Sequence, residues 1–86
     1  MPNIHAPITG VIWEVLVVEN DEVEVEQVVI VIESMKLEIP VESEHAGTVR
    51  RITVAVGHAV IEGDVLVELL PRSNVDGEGG EPSRAK

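Results

Sequence analysis

Residues 28–42 read VVIVIESMKLEIPVE, two apolar runs separated by a short polar stretch. The first run, 28–32, consists of valine and isoleucine, whose branched side chains suit a pleated strand. The second run, 37–41, alternates apolar with polar residues, as a strand with one buried face does. Two strands joined so closely predict a β-hairpin, whose tip falls near Met35 and Lys36.

This hairpin lies at the centre of an internal repeat. Sliding the chain against itself by 37 positions aligns Gly10 with Gly47 and Val28 with Val65, with apolar pairs between them. The other runs rich in β-branched residues are 11–18, 49–56 and 65–70. An isolated hairpin is marginal in water, so the two copies have to bury their apolar faces against each other. The repeat therefore predicts an all-β sandwich with pseudo-two-fold symmetry.

Length and composition limit the chain to one small domain. Its 86 residues are 44% hydrophobic, which is enough for a core. From residue 71 onward glycine, serine, proline and charged residues dominate, which predicts a domain over 1–70 and a disordered tail over 71–86. Cysteine is absent, and this excludes disulfides and thiolate metal sites.

The net charge of -10 falls entirely on the predicted domain, where thirteen acids face only Lys36, Arg50 and Arg51. Such a surface repels nucleic acid and anionic membranes, so we expect neither as a partner and favour a basic or neutral protein. The sequence has no membrane span, secretory signal or transit peptide, and we expect a soluble, cytoplasmic protein. Met1, so close to the first strand, favours a free-standing protein.

Lys36 is the candidate functional residue. It is the only lysine in residues 1–70, so it offers a modifying enzyme one unambiguous primary amine. The tip sequence also lacks the Asn-Gly, Asp-Gly or Gly-X pair that a tight hairpin turn favours, and such a broken local rule points to function. A charged residue is equally at home on any solvated tip. The pattern alone therefore leaves a modification site and a merely solvated lysine evenly balanced.

The residues around Lys36 resemble a known motif. The stretch ESMKLEIP, residues 33–40, is similar to the biotinylation motif of biotin carboxyl carrier proteins, in which Met-Lys-Met follows Ala or Ser. Turns typical of that family occur at 18–23 and 56–66, and the resemblance extends over 4–70. The chain resembles the compact members, which lack a protruding loop. Asn20 and Glu26 stand where the family usually has glycine.

The resemblance implies a fold and a function. The fold would be a flattened β-barrel or sandwich, a barrel-sandwich hybrid of two four-stranded sheets related by the pseudo-two-fold axis. Biotin would be attached covalently to Lys36 by a biotin protein ligase that recognises the flanking residues Glu33, Ser34, Met35 and Leu37. The partners would then be a biotin carboxylase and a carboxyltransferase, in a biotin-dependent carboxylase such as acetyl-CoA carboxylase. The domain would act as a shuttle with no catalytic residue of its own.

Two other functions compete with this interpretation. A lipoyl domain of a 2-oxo acid dehydrogenase complex would share the fold and attach lipoate to Lys36. Lipoyl domains usually have Asp before the lysine and Ala after it, so Met35 and Leu37 favour biotin. A β-sandwich that only binds partners would need no lysine at its tip.

Other side chains carry weaker signals. His5, His45 and His58 are scattered, and the acidic run 19–26 lacks the spacing of a calcium loop, so we expect no metal site. Trp13 shares one strand face with apolar neighbours, which predicts packing in the core or at a sheet edge.

Overall fold

The computed structural model describes residues 2–71, which form eight β-strands. The strands are β1 (Asn3–His5), β2 (Gly10–Val15), β3 (Glu22–Val23), β4 (Val28–Ser34), β5 (Leu37–Glu42), β6 (Gly47–Ile52), β7 (Ala59–Val60) and β8 (Val65–Pro71). The last strand includes Pro71, one residue beyond the domain boundary predicted at 70. Of the tail predicted over 71–86, residues 72–86 lie outside the described residues. Within the described part of the chain no helix is long and apolar enough to cross a membrane.

The strands form two antiparallel four-stranded sheets, in the orders β1-β8-β6-β3 and β5-β4-β2-β7. We call them the first and the second sheet. Each sheet contains two strands from each copy of the repeat, so neither copy builds a sheet by itself. The all-β architecture of two four-stranded sheets, predicted from the repeat and the family resemblance, is confirmed.

The pseudo-two-fold symmetry extends to individual hydrogen bonds in the turns. The backbone N–H of Asn20 donates to the carbonyl of Val49 at 2.8 Å, and that of Gly57, 37 positions later, donates to the carbonyl of Ile12 at 2.9 Å. The two turns close in the same way, because Asp21 accepts from the N–H of Val18 and His58 accepts from that of Ala55. The repeat read from the sequence is therefore a structural duplication.

The inner faces of both sheets form one apolar core. Its members are Ile4, Ala6, Ile12, Val17, Val23, Val29, Ile30, Ile32, Val41, Val49, Val60, Leu66, Val67 and Leu69. A fully buried valine, leucine or isoleucine stabilises the fold by about 1.5–3 kcal/mol relative to leaving it exposed. Because core residues come from both copies, folding requires the copies to associate.

Gly10 and Gly47 occupy equivalent places where two strands approach closely. A Cβ atom on Gly10 would lie 2.4 Å from the carbonyl oxygen of Glu33, and one on Gly47 would lie 2.3 Å from that of Leu70. Both distances are shorter than any ordinary contact, so only glycine fits without moving the neighbouring strand. This explains why glycine recurs at this position of the repeat.

The first copy of the repeat has non-glycine residues in a left-handed backbone. Asn20 and Glu26 have φ angles of 77° and 71°, where their equivalents Gly57 and Gly63 have 94° and 96°. Asn tolerates this region well, whereas glutamate is strained there at a cost of about 1–2 kcal/mol. The turns keep the same geometry in both copies because tertiary packing imposes it.

The strands predicted at 11–18 and 49–56 end earlier, at Val15 and Ile52. In each, a β-bulge interrupts the pairing, between Ile12 and Glu14 in β2 and between Val49 and Arg51 in β6. A bulge bends a strand and increases its twist, so the chain then leaves the ladder and enters the turns. A periodicity of two residues cannot indicate such an interruption.

Candidate functional site

The hairpin of β4 and β5 ends in a two-residue loop formed by Met35 and Lys36. Pairing extends from Val28 opposite Glu42 to Ser34 opposite Leu37, with one bulge between Val28 and Ile30, so only Met35 and Lys36 lie between the two strands. Their φ angles, 53° and 66°, are both positive, as in the type I′ turns that join antiparallel strands tightly. The tip predicted near Met35 and Lys36 is confirmed.

The tip is held in a conformation that its residues disfavour. A type I′ turn is usually built from Asn-Gly, because asparagine and glycine enter the left-handed region easily. Met35 and Lys36 have no such property, so the strand pairing on either side has to impose the turn. Turn stability therefore does not explain why these two residues occupy the tip, which points to a function.

The amine at the tip is open to solvent. Lys36 is exposed, and its neighbours Met35 and Leu37 have relative exposures of 92% and 64%. Lys36 forms no salt bridge with any residue in the part of the chain that the structure describes. An enzyme that carries an activated carboxyl group can therefore approach the amine without displacing any part of the domain.

The residues flanking the tip alternate between the two faces of the hairpin. Glu33 and Glu38 lie directly opposite each other on the outer face, one pair before the tip pair Ser34 and Leu37. Like charges in this arrangement destabilise a sheet. Because the register pairs Ser34 with Leu37 at the end of the two strands, all five candidate residues, 33–37, lie together at this end of the hairpin.

This end of the hairpin fits a small carboxylic acid attached as an amide. The attachment needs a primary amine with free access and a rigid support, and the exposed lysine on a two-residue turn supplies both. Met35 and Leu37 add apolar surface on either side of the amine, where an enzyme could recognise it.

The other candidate residues take structural places. His58 lies in a turn, where its Nδ1 accepts a hydrogen bond from the N–H of Ala55 at 3.3 Å. Across residues 2–71 no group of three or more His, Cys, Asp or Glu side chains is arranged to hold a metal ion.

Trp13 does not lie where the sequence predicted. It stands at the β-bulge of β2, an internal strand of the second sheet, and 48% of its surface is exposed. The prediction of packing in the core or at a sheet edge is therefore wrong, because the bulge breaks the alternation on which it depended. The repeat contained a signal for this position, since Trp13 aligns with Arg50 and a charged equivalent indicates solvent exposure.

Comparison with known proteins identifies small relatives that match nearly over their whole length. The biotin/lipoyl family model, described as "Biotin-requiring enzyme", matches residues 1–69. The biotin/lipoyl attachment protein of Bacillus subtilis is 42% identical over 66 residues, which cover 77% of this chain and 90% of that protein. The biotinylated protein TB7.3 homolog of Mycobacterium leprae is 38% identical over 64 residues, covering 74% and 90%.

Larger proteins contain the same domain as a small part. The dihydrolipoyllysine-residue acetyltransferase component of the pyruvate dehydrogenase complex of Azotobacter vinelandii is 38% identical over 76 residues, covering 88% of this chain and 11% of that protein. Among solved structures, the urea carboxylase of Kluyveromyces lactis superposes with a TM-score of 0.74 at 31% identity, covering 79% of this chain and 6% of that one.

Proposed function

The chain belongs to the biotin/lipoyl attachment family of carrier domains, and we propose that it carries biotin in amide linkage to Lys36. The observation that supports this most is the exposed amine on a strained two-residue turn, flanked by two exposed apolar side chains. Met35 and Leu37 are the flanks that the resemblance associates with biotin. A relative named for its biotinylation agrees with this choice.

Lipoate is the second candidate, because a lipoyl-bearing acetyltransferase component is also a relative. Its case is weaker at the tip itself. The resemblance associates lipoyl attachment with Asp and Ala beside the lysine, and this chain has Met35 and Leu37 there. Residues 35 and 37 therefore favour biotin.

The contribution of the domain to the attachment reaction is geometric. A biotin protein ligase supplies biotin as its acyl adenylate. The unprotonated Nζ of Lys36 attacks the activated carbonyl carbon, the bond to the phosphate oxygen breaks, and AMP and a proton leave as the amide forms. The turn offers this nitrogen at a fixed position, so little conformational entropy is lost when the ligase docks. Glu33, Ser34, Met35 and Leu37 provide the surface by which the ligase selects the hairpin.

After attachment the domain serves as a carrier and performs no reaction itself. Biotin supplies a ureido nitrogen that accepts a carboxyl group, which a biotin carboxylase adds and a carboxyltransferase removes. Because Lys36 is exposed at the end of the hairpin, a cofactor attached there would extend into solvent and could enter both active sites. We propose that the carboxylase served is an acyl-CoA carboxylase such as acetyl-CoA carboxylase, and that the carrier works in the cytoplasm.

Intact-mass measurement tests the proposal directly. We expect incubation with a biotin protein ligase, ATP and biotin to add one biotin to the wild-type chain and none to Lys36→Arg, because arginine keeps the charge but cannot form the amide. A parallel incubation with lipoate ligase and lipoate should add nothing. The double substitution Met35→Asp with Leu37→Ala should slow biotinylation at least tenfold.

Two outcomes would contradict the proposal. If the wild-type chain takes up no biotin, it is not a biotin carrier, and lipoate uptake would identify the second candidate instead. If Lys36→Arg is still biotinylated, the site lies on the other lysine of the chain, Lys86.

A further inference from the structure

The duplication gives the domain two outer faces whose backbones are equivalent but whose side chains differ. On the second sheet Trp13 and Glu14 form the bulge opposite Val31, and on the first sheet Arg50 and Arg51 form the equivalent bulge opposite Glu68. The strands, the bulges and the register repeat, so the backbone constrains the two outer faces in the same way. The different side chains are therefore not required by the fold.

We call the outer surface of the second sheet the tryptophan face, formed by Trp13, Glu14, Val31, Glu33, Glu38 and Pro40. The strand register places Glu14 beside Val31, and Val31 beside Pro40. Trp13, the sole aromatic residue of the chain, leaves 48% of its surface in water there. A half-exposed tryptophan among apolar and acidic neighbours is typical of a protein interface, where tryptophan contributes disproportionately to binding.

The tryptophan face is acidic, and its carboxylates are not paired with cationic side chains of the described residues. No lysine or arginine among residues 2–71 forms a salt bridge with Glu14, Glu33 or Glu38. On the first sheet, by contrast, Arg51 pairs with Glu68 at 2.9 Å. The face thus combines three carboxylates that form no salt bridge with an exposed indole ring. Both groups are complementary to arginine or lysine side chains, which bind carboxylates and stack on tryptophan.

This face is continuous with the hairpin tip. From Val31 along β4 to Lys36 is five residues, roughly 17 Å at about 3.4 Å per residue, so a protein that takes up the tip also comes to lie over the face. Amide formation removes the charge of Lys36 and lowers the formal net charge of the chain from -10 by one. The biotinylated form is thus the more attractive one for a basic surface.

We propose that the tryptophan face is the docking site for the biotin carboxylase that carboxylates the attached cofactor. The docking surface of that enzyme would present arginine or lysine side chains around an apolar depression that receives Trp13. This inference rests on the proposed carrier function. The charge lost at Lys36 favours this partner over the ligase, which has to bind the domain while the lysine is still cationic.

The test uses the biotinylated full-length domain and a purified biotin carboxylase that accepts the wild-type form. Trp13→Ala should lower kcat/KM for carboxylation at least tenfold, mainly through KM. Glu14→Gln with Glu38→Gln should lower it at least threefold at 50 mM salt and much less at 500 mM, because salt screens exposed charges. Arg50→Ala, the equivalent of Trp13 on the first sheet, should stay within twofold of wild type.

Two further measurements separate docking from other causes. Each variant should keep the wild-type melting temperature within a few degrees and the wild-type rate of biotinylation by the ligase. Labelling with 5-fluorotryptophan gives one fluorine resonance, since the chain has one tryptophan. That resonance should shift or broaden when the carboxylase is added to the biotinylated domain.

Three results would overturn the inference. Carboxylation of Trp13→Ala at the wild-type kcat/KM would show that the face is not used. A loss confined to the biotinylation rate would assign the face to the ligase instead. An equal loss in Arg50→Ala would show that the effect is not specific to this face. Failure of the proposed function is distinct from all three, because wild-type protein would then gain no biotin before any carboxylase is added.

Discussion

Glu26 is held with a φ angle of 71°, although glutamate has no special tolerance for a left-handed backbone. Glu26→Gly should therefore raise the free energy of unfolding by about 0.5–1 kcal/mol, because the relief of strain exceeds the extra entropy that glycine gives the unfolded chain. Chemical denaturation followed by circular dichroism measures the change. Glu26→Gln, which removes the charge but keeps the strain, should leave stability nearly unaltered.

The equivalent position in the second copy supplies the reverse experiment. Gly63 has a φ angle of 96°, and a Cβ atom added there would meet nothing within 4 Å. Gly63→Ala should lower stability by about 1 kcal/mol through backbone strain alone. If Glu26→Gly and Gly63→Ala shift stability in the same direction, backbone conformation is not the cause.

Single residues were predictable from the sequence where chemistry or the repeat singled them out. Lys36 could be assigned to the tip because it falls between two strand patterns at the midpoint of the duplication. Trp13 could not be placed by strand alternation, because the bulge beside it is a local departure that no periodicity encodes. The unusual backbone at Glu26 was foreseeable because the family that the sequence resembles usually has glycine at this position.

At the scale of the element, the β4–β5 hairpin joins stable strand pairing to an unfavourable turn. Replacing Met35 by Asn and Lys36 by Gly supplies the pair that a type I′ turn favours, and should raise the free energy of unfolding by about 1 kcal/mol. The same double variant should take up no biotin, since it has lost the amine. Thermal melting and intact mass report the two effects separately.

Met35→Asn alone is the matched control for the hairpin. It keeps the amine of Lys36 while easing one of the two strained positions, so it should gain part of the stability and still accept biotin, at a lower rate. A double variant less stable than wild type would mean that the native tip is not strained, and that Met35 and Lys36 support the turn in some other way.

Strands of six or seven residues were easier to predict than strands of two residues. The patterns over 28–32, 37–41 and 65–70 correspond to β4, β5 and β8, whose residues alternate or bury both faces. The two-residue strands β3 and β7 escaped prediction because so short a segment has no periodicity. They are held in place by pairing with β6 and β2, which is a tertiary effect.

For the whole molecule, the sheets predict that neither half folds alone. Residues 1–36 contain β1 to β4 and residues 37–71 contain β5 to β8, yet each sheet draws two strands from each half. We expect both peptides to show the circular dichroism of unfolded chains and no cooperative melting, because each lacks half of the core. If either isolated half unfolds in a cooperative transition, the association of the two copies is not required for a stable core.

The pseudo-two-fold symmetry also determines where a tether at the end of β8 lies relative to the hairpin tip. β8 is the equivalent of β4, so the place where the chain leaves the domain at Pro71 corresponds to the place where β4 turns at the tip. β2 starts beside the tip at Gly10 and leads away from it to β3, which adjoins Gly47 and hence the end of β8. A tether attached at Pro71 therefore holds the end of the domain opposite Lys36, and in the proposed function it leaves the cofactor-bearing tip free to move.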